Sequence, residues 1–140
     1  MEKISNELHE IIKKMEAQGK VNFKTSATEE QIKEFENKHN IALPKKYKEW
    51  LLFSDGGECY IPAGIQLYGV ISKPLIELQN DDGISDDYIV IGALPQGDPI
   101  IFKNNHEHIS IYNLETGKIE KDETFDDFFE FLRNLYEILY

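Results

Sequence analysis

The stretch from Thr28 to Gly57, TEEQIKEFENKHNIALPKKYKEWLLFSDGG, constrains the fold more than any other part of the chain. Thr28 and Gln31 stand at capping-box spacing, where each side chain satisfies a backbone N–H left unpaired by a helix start. Ala27 and Ile32 occupy the flanking positions whose apolar contact fixes the entry angle. Ile32 and Phe35 mark a buried face, and Asn40 suits a left-handed cap where this first helix stops. Leu43-Pro44 restarts the chain, since proline presets φ and its missing N–H costs nothing in a first turn. Tyr47, Trp50, Leu51 and Ser54 follow at helical spacing, with Trp50 as the packing anchor. Asp55-Gly56-Gly57 ends the segment, because glycine takes positive φ without a Cβ clash. The spacing therefore predicts two short helices joined by an Ile-Ala-Leu-Pro elbow.

Upstream, Ile4, Leu8, Ile11, Ile12 and Met15 predict an amphipathic helix over residues 4–18 that stops at Gly19. Val21 and Phe23 alternate as in a brief strand. Downstream of Gly57 the pattern changes to short runs of Val, Ile and Tyr between turn residues. Strands are expected at 65–71, weakly at 75–78 below Pro74, at 88–94 and at 99–103. The stretch 88–94 is apolar on both faces, which marks a central strand with helices on at least one side. A hairpin is expected from 109–114 and 118–121 around Glu115-Thr116-Gly117. Thr124 and Asp127 have capping-box spacing ahead of a last helix, whose stripe is Phe125, Phe128, Phe129, Leu132, Leu135, Tyr136 and Leu139. The fold class expected is α+β, a mainly antiparallel sheet of about five strands packed with the N-terminal helices and one C-terminal helix.

A helix, Leu-Pro, a helix carrying Tyr47 and Trp50, and then Gly56-Gly57 resembles the SUKH superfamily, which includes the fungal Smi/Knr cell-wall regulators. Further matches are Gly64-Ile65, Tyr88 to Gly92, Gly97-Asp98 and Thr124 to Phe128, so the resemblance covers roughly residues 28–139. It implies one SUKH-like domain over 1–140. Its parts are an N-terminal helix and connection (1–27), the helix-Leu-Pro-helix-Gly-Gly unit (28–57), the sheet (58–121) and the C-terminal helix (124–140). It also implies a non-enzymatic binding role, as in bacterial immunity proteins that neutralise polymorphic toxins. The alternative within the resemblance is a regulatory scaffold of the Smi/Knr type with no toxin partner.

The 140 residues carry a net charge of −11, unevenly placed. Residues 1–50 hold 10 lysines against 9 acids, whereas residues 51–140 hold 5 basic residues against 17 acids. Such a charge repels nucleic acid and anionic membranes and attracts a basic partner at long range. A membrane helix needs about 18 consecutive apolar residues, and no run approaches that. The start, Met-Glu-Lys-Ile-Ser, lacks the basic and apolar regions of a secretory signal. Cys59 is a single cysteine, which precludes an internal disulfide and fits a reducing cytoplasm.

Chemical signatures are sparse. His106-Glu107-His108 offers three ligand types, and alternation in a strand places both histidines on one side. No second cluster supplies further ligands, so the stretch reads as a solvated turn and no metal is expected. The acidic neighbours of Cys59 raise a thiol pKa, and no base stands nearby in sequence to activate it. No phosphate-binding glycine loop occurs, and no cofactor is expected. Asp81, Asp82, Asp86 and Asp87 crowd one polar loop without the spacing of a calcium-binding loop, which favours carboxylates facing solvent or a partner. Tyr60, Tyr68, Tyr88 and Tyr112 fall in strand regions and suit the border of an exposed sheet face, since tyrosine joins contact area to a polar tip. The partner-binding set expected is Glu58, Tyr60, Asp81, Asp82, Asp86, Asp87 and Asp98, facing the basic surface of a cognate protein toxin.

Overall fold

The computed structural model describes residues 4–62, 64–78 and 87–139. These residues form four helices and seven strands in the order α1 (Asn6–Gln18), β1 (Lys20–Asn22), α2 (Glu29–His39), α3 (Lys45–Phe53), β2 (Gly57–Ile61), β3 (Ile65–Leu67), β4 (Tyr88–Ala93), β5 (Pro99–Lys103), β6 (Ile109–Asn113), β7 (Lys118–Phe125) and α4 (Phe128–Leu139). The strands make one antiparallel sheet in sequence order, β1 to β7. The helices pack against one face. The α+β class is as the sequence predicts, with a sheet larger than expected. The three-residue β1 adds an edge, and β2 begins directly on Gly57, where the sequence shows only a helix terminator.

Local chemistry sets the helix ends. The Ser5 hydroxyl accepts from the Leu8 N–H at the start of α1, and Glu49 accepts from both the Ser5 N–H and its hydroxyl. Thr28 and Gln31 form the reciprocal capping box at the start of α2. Asn40 closes that helix in the left-handed conformation at φ 53°. The elbow is held by Glu36, whose carboxylate accepts from the Leu43 N–H at 2.8 Å. Pro44 precedes α3 as its cap residue, and its carbonyl accepts from the Lys48 N–H.

The Asp55-Gly56-Gly57 corner ties α3 to the sheet. Gly56 and Gly57 have φ of 93° and 128°, and a Cβ on Gly56 would stand 2.5 Å from the Leu67 carbonyl oxygen. The Gly56 carbonyl accepts from the Trp50 indole N–H at 3.1 Å and from the Ser54 hydroxyl at 2.7 Å. Asp55 is buried, and its carboxylate accepts from the backbone N–H groups of Val70, Ile71 and Ser72. A helix-terminating aspartate thus fixes a loop 15 to 17 residues further along the chain.

The main core lies between the helices and the sheet. Trp50 and Tyr47 are fully buried there, each edge-on to Phe128 of α4. The Tyr47 hydroxyl donates to the Tyr68 carbonyl, anchoring α3 to the sheet's centre. Arg133 of α4 forms an ion pair with Glu7 of α1. Among the described residues every buried side-chain nitrogen or oxygen has a hydrogen-bond partner, as a stable interior requires.

Three local expectations are corrected. The run at 65–71 pairs as a strand only to Leu67, since Gly69 turns aside into a parallel bridge with Leu75. The weak strand at 75–78 reduces to that bridge and an antiparallel one between Glu77 and Val90. Thr124 does not cap α4: it lies in β7 opposite Ser110, and the Asp127 carboxylate takes the cap position by accepting from the Glu130 N–H. Phe125 accordingly ends β7, and Phe131 joins the buried stripe of α4.

Candidate functional site: the uncovered face of the sheet

Strand alternation sends side chains to both sides of β4 and β5. Ile89, Ile91, Ile100 and Phe102 enter the main core. Val90 and Ile101, paired in register, point the opposite way and make a second small apolar cluster with Tyr68, Tyr88, Tyr112 and Ile119. No described helix contributes to this cluster. Val90 and Ile101 are nevertheless only 3% and 0% exposed, because the half-buried tyrosines lean over them. The face is therefore apolar at its centre and phenolic at its border.

Cross-strand register fixes what surrounds the cluster. Tyr88 faces Lys103, Ile101 faces Ser110, Ser110 faces Thr124, and Tyr112 faces Ile119. The Ser110 and Thr124 hydroxyls are 3.2 Å apart and share a hydrogen bond. Beyond Lys103, His106 and His108 come to the same side, and Glu107 turns away so that its carboxylate accepts from the Lys45 N–H. Residues 106–108 lie in the irregular segment between β5 and β6, so the two histidines reach the same depression without strand alternation. Among the described residues, no group of three or more His, Cys, Asp or Glu is placed to hold a metal ion.

The edge of the sheet beside this face is acidic. The register between β6 and β7 shifts between Ser110 and Tyr112, so Glu120 to Glu123 bulge out of regular pairing. Glu123 has its carboxyl pKa raised, first by burial and then by the charges of Asp122, Asp98 and Glu120. Carboxylates and a bulge on an edge strand obstruct pairing with another strand, which blunts an otherwise open edge. This cluster was not singled out in the sequence, although Glu120, Asp122 and Glu123 are visible there as a charge run. What brings Asp98 to them is the sheet, across two strands.

The expected partner-binding residues separate into groups. Glu58 is half-buried on β2, opposite Gln66, and alternates with buried Cys59. Asp87 is exposed immediately before β4. Asp98 accepts from the Leu114 N–H and the Gln96 amide, so its carboxylate also braces the turn after β6. Asp81, Asp82 and Asp86 lie outside the described residues. Tyr60 is corrected: it is 1% exposed and presents no surface. Its backbone takes φ 60°, its ring lies where a Cβ on Gly19 would stand, and its hydroxyl donates to the Gln18 side chain. Positive φ at Tyr60 breaks strand alternation, which is why its turn inward was not legible.

Cys59 is fully buried and its thiol is pushed up to about 12, chiefly by burial. At neutral pH such a thiol stays protonated and weakly nucleophilic. Asp55, the buried carboxylate, is occupied by three backbone N–H groups.

The family profile described as "SMI1 / KNR4 family (SUKH-1)" matches residues 26–134, from the residue before Ala27 to the middle of α4. The chain belongs to this family. The match spans the Leu-Pro elbow, the Asp55-Gly56-Gly57 corner and all of β2 to β7, including the uncovered face. No curated protein matches the chain. No described helix is long and apolar enough to cross a membrane.

Proposed function

We propose that this protein is a non-enzymatic immunity protein that binds a cognate protein toxin in the cytoplasm and blocks it stoichiometrically. The observation that carries the reading is the uncovered sheet face, where Tyr68, Tyr88 and Tyr112 border buried Val90 and Ile101. Tyrosine gives large contact area at low entropic cost and keeps a polar tip for hydrogen bonding, a combination enriched at protein interfaces. The bulged, acidic β7 beside it supplies the second ingredient. A net charge of −11 draws a basic partner by long-range attraction and repels nucleic acid. Nuclease toxins bear basic clefts for phosphate backbones, so carboxylates presented on this side suit them by imitating substrate charge. Family membership supports a binding role of this kind.

The test is a search of the neighbouring genes for a toxin-like protein, followed by co-expression with it. The expected result is survival of otherwise poisoned cells and a 1:1 complex on co-purification. Absence of both protection and complex overturns the toxin reading. Within it, changing Asp81, Asp82, Asp86 and Asp87 together to Asn should leave folding intact and slow association. Steering by exposed charge acts on the association rate and is screened beyond about 8 Å at physiological salt. Stopped-flow association at two salt concentrations should therefore show a steep salt slope for the wild type and a flatter one for the variant. Identical slopes remove this loop from the docking surface.

A further inference from the structure

Resting on that reading, we propose that the depression around Lys103 on the uncovered face is a carboxylate-binding site, which receives an aspartate or glutamate side chain of the partner protein. The depression has a volume of about 460 Å³, and Tyr88, Lys103, His106, His108, Ser110 and Thr124 line it with Ile119. Its polar groups are dominated by donors. Lys103 brings an ammonium with three N–H bonds and no acceptor capacity. Ser110 and Thr124 share one hydrogen bond, so one hydroxyl proton remains for an incoming acceptor. The Nδ1 of His106 lies 3.1 Å from the Asn104 carbonyl, which can only accept, so this nitrogen carries a proton and the ring's position is fixed.

Among the described residues no acidic side chain lines the depression. Glu107, flanked by the two histidines, is committed to the Lys45 N–H on the other side. Among the described residues no carboxylate pairs with Lys103. Residues 51–140 hold only 5 basic side chains against 17 acids, and one of the five stands beside the tyrosine cluster. A uniformly basic partner is attracted by the domain as a whole and repelled at this point. An acidic residue at the matching position relieves the repulsion and adds a charge-assisted hydrogen bond, which fixes docking register. Charge complementarity selects a carboxylate over a phosphate, because a doubly charged group meets more of the surrounding negative field. The tyrosine and isoleucine border selects a protein over a free anion.

The test does not require the toxin. Amide resonances of the ¹⁵N-labelled protein are followed during titration with sodium acetate and with N-acetylglutamate amide, against sodium chloride and sodium phosphate at matched ionic strength. Saturable shifts at Lys103, His106, His108, Ser110 and Thr124 with both carboxylates, and weaker ones with chloride and phosphate, are expected. Lys103→Gln should weaken carboxylate binding at least tenfold; Lys103 is exposed, and the variant's spectrum checks its fold. Carboxylate shifts equal to those with chloride overturn the site, and tighter phosphate binding overturns its assignment to carboxylate. In a second arm, Lys103→Glu should lower toxin affinity more than Lys103→Gln, and equal affinities for both variants and wild type overturn the docking role. A protein that protects cells yet fails these arms loses the carboxylate site alone.

Discussion

On β4 and β5, Ile89, Ile91, Ile100 and Phe102 face the helices, while Val90 and Ile101 face a ring of tyrosines that no described helix covers. The same two strands thus supply both a core and a surface. On the helix side, Trp50, Tyr47 and Phe128 fill the space in edge-on contact, and each buried polar tip has a backbone partner. On the open side, hydroxyls, an ammonium and imidazoles surround a minimal apolar centre. The contrast separates two uses of an apolar strand: one side carries stability, the other keeps contact area available at little cost to the fold. Substitutions on the first should unfold the protein, and those on the second should uncouple it from its partner.

The largest effect is expected at Trp50. Trp50→Ala should lower stability by about 3–5 kcal/mol, from lost burial and the cavity left among α3, α4 and Phe23. Denaturant unfolding measures this, and a loss below about 1 kcal/mol would break the claim that this side carries the fold. Asp55 comes next. Asp55→Ala strands three backbone N–H groups, each costing about 1–3 kcal/mol if left unpaired, partly relieved by entering water. A loss of about 3 kcal/mol is expected. Asp55→Asn should lose less, since its carbonyl oxygen still accepts; equal losses for the two variants would assign the effect to volume.

How much of this was legible depended on the distance over which each residue acts. The Thr28–Gln31 capping box, the left-handed Asn40 and the positive-φ pair Gly56 and Gly57 are properties of a few consecutive residues, and they stand as read. Trp50 was legible from helical spacing. Asp55 was read only as part of a helix stop, because its partners at 70–72 are brought to it by folding. Tyr68, Tyr88 and Tyr112 could be placed near an exposed sheet face from sequence. Tyr60 could not be distinguished from them, since its burial depends on its φ and on the absent side chain of Gly19. The cap of α4 was misplaced by one turn because Thr124 and Asp127 satisfy the same spacing as Asp127 and Glu130. The competing partner, Ser110 on β6, decides between them.

The acidic edge yields a smaller, pH-dependent effect. Glu123 has a folded-state pKa raised by burial and by Asp122, Asp98 and Glu120. The folded protein therefore holds this proton more tightly than the unfolded chain does. The resulting stability is present below the unfolded-state value and is lost as pH rises through the folded-state value. Near neutral pH the ionised edge should cost the fold a little, so Glu123→Gln should stabilise by less than about 1 kcal/mol, given partial solvent screening. Unfolding midpoints at pH 4 and pH 7 would measure it, and a stabilisation that grows toward acid would contradict the assignment.

The most direct test of the division between the two faces is a double variant, Tyr88→Ala with Tyr112→Ala, measured twice in one buffer. Calorimetric titration against the cognate toxin gives affinity, and denaturant unfolding gives stability. A Kd raised tenfold or more, with a stability loss of about 1–2 kcal/mol that stays well below the loss for Trp50→Ala, is the result expected of a docking face. An unchanged Kd, or an affinity loss no larger than the unfolded fraction explains, would contradict it and place the partner elsewhere on the molecule.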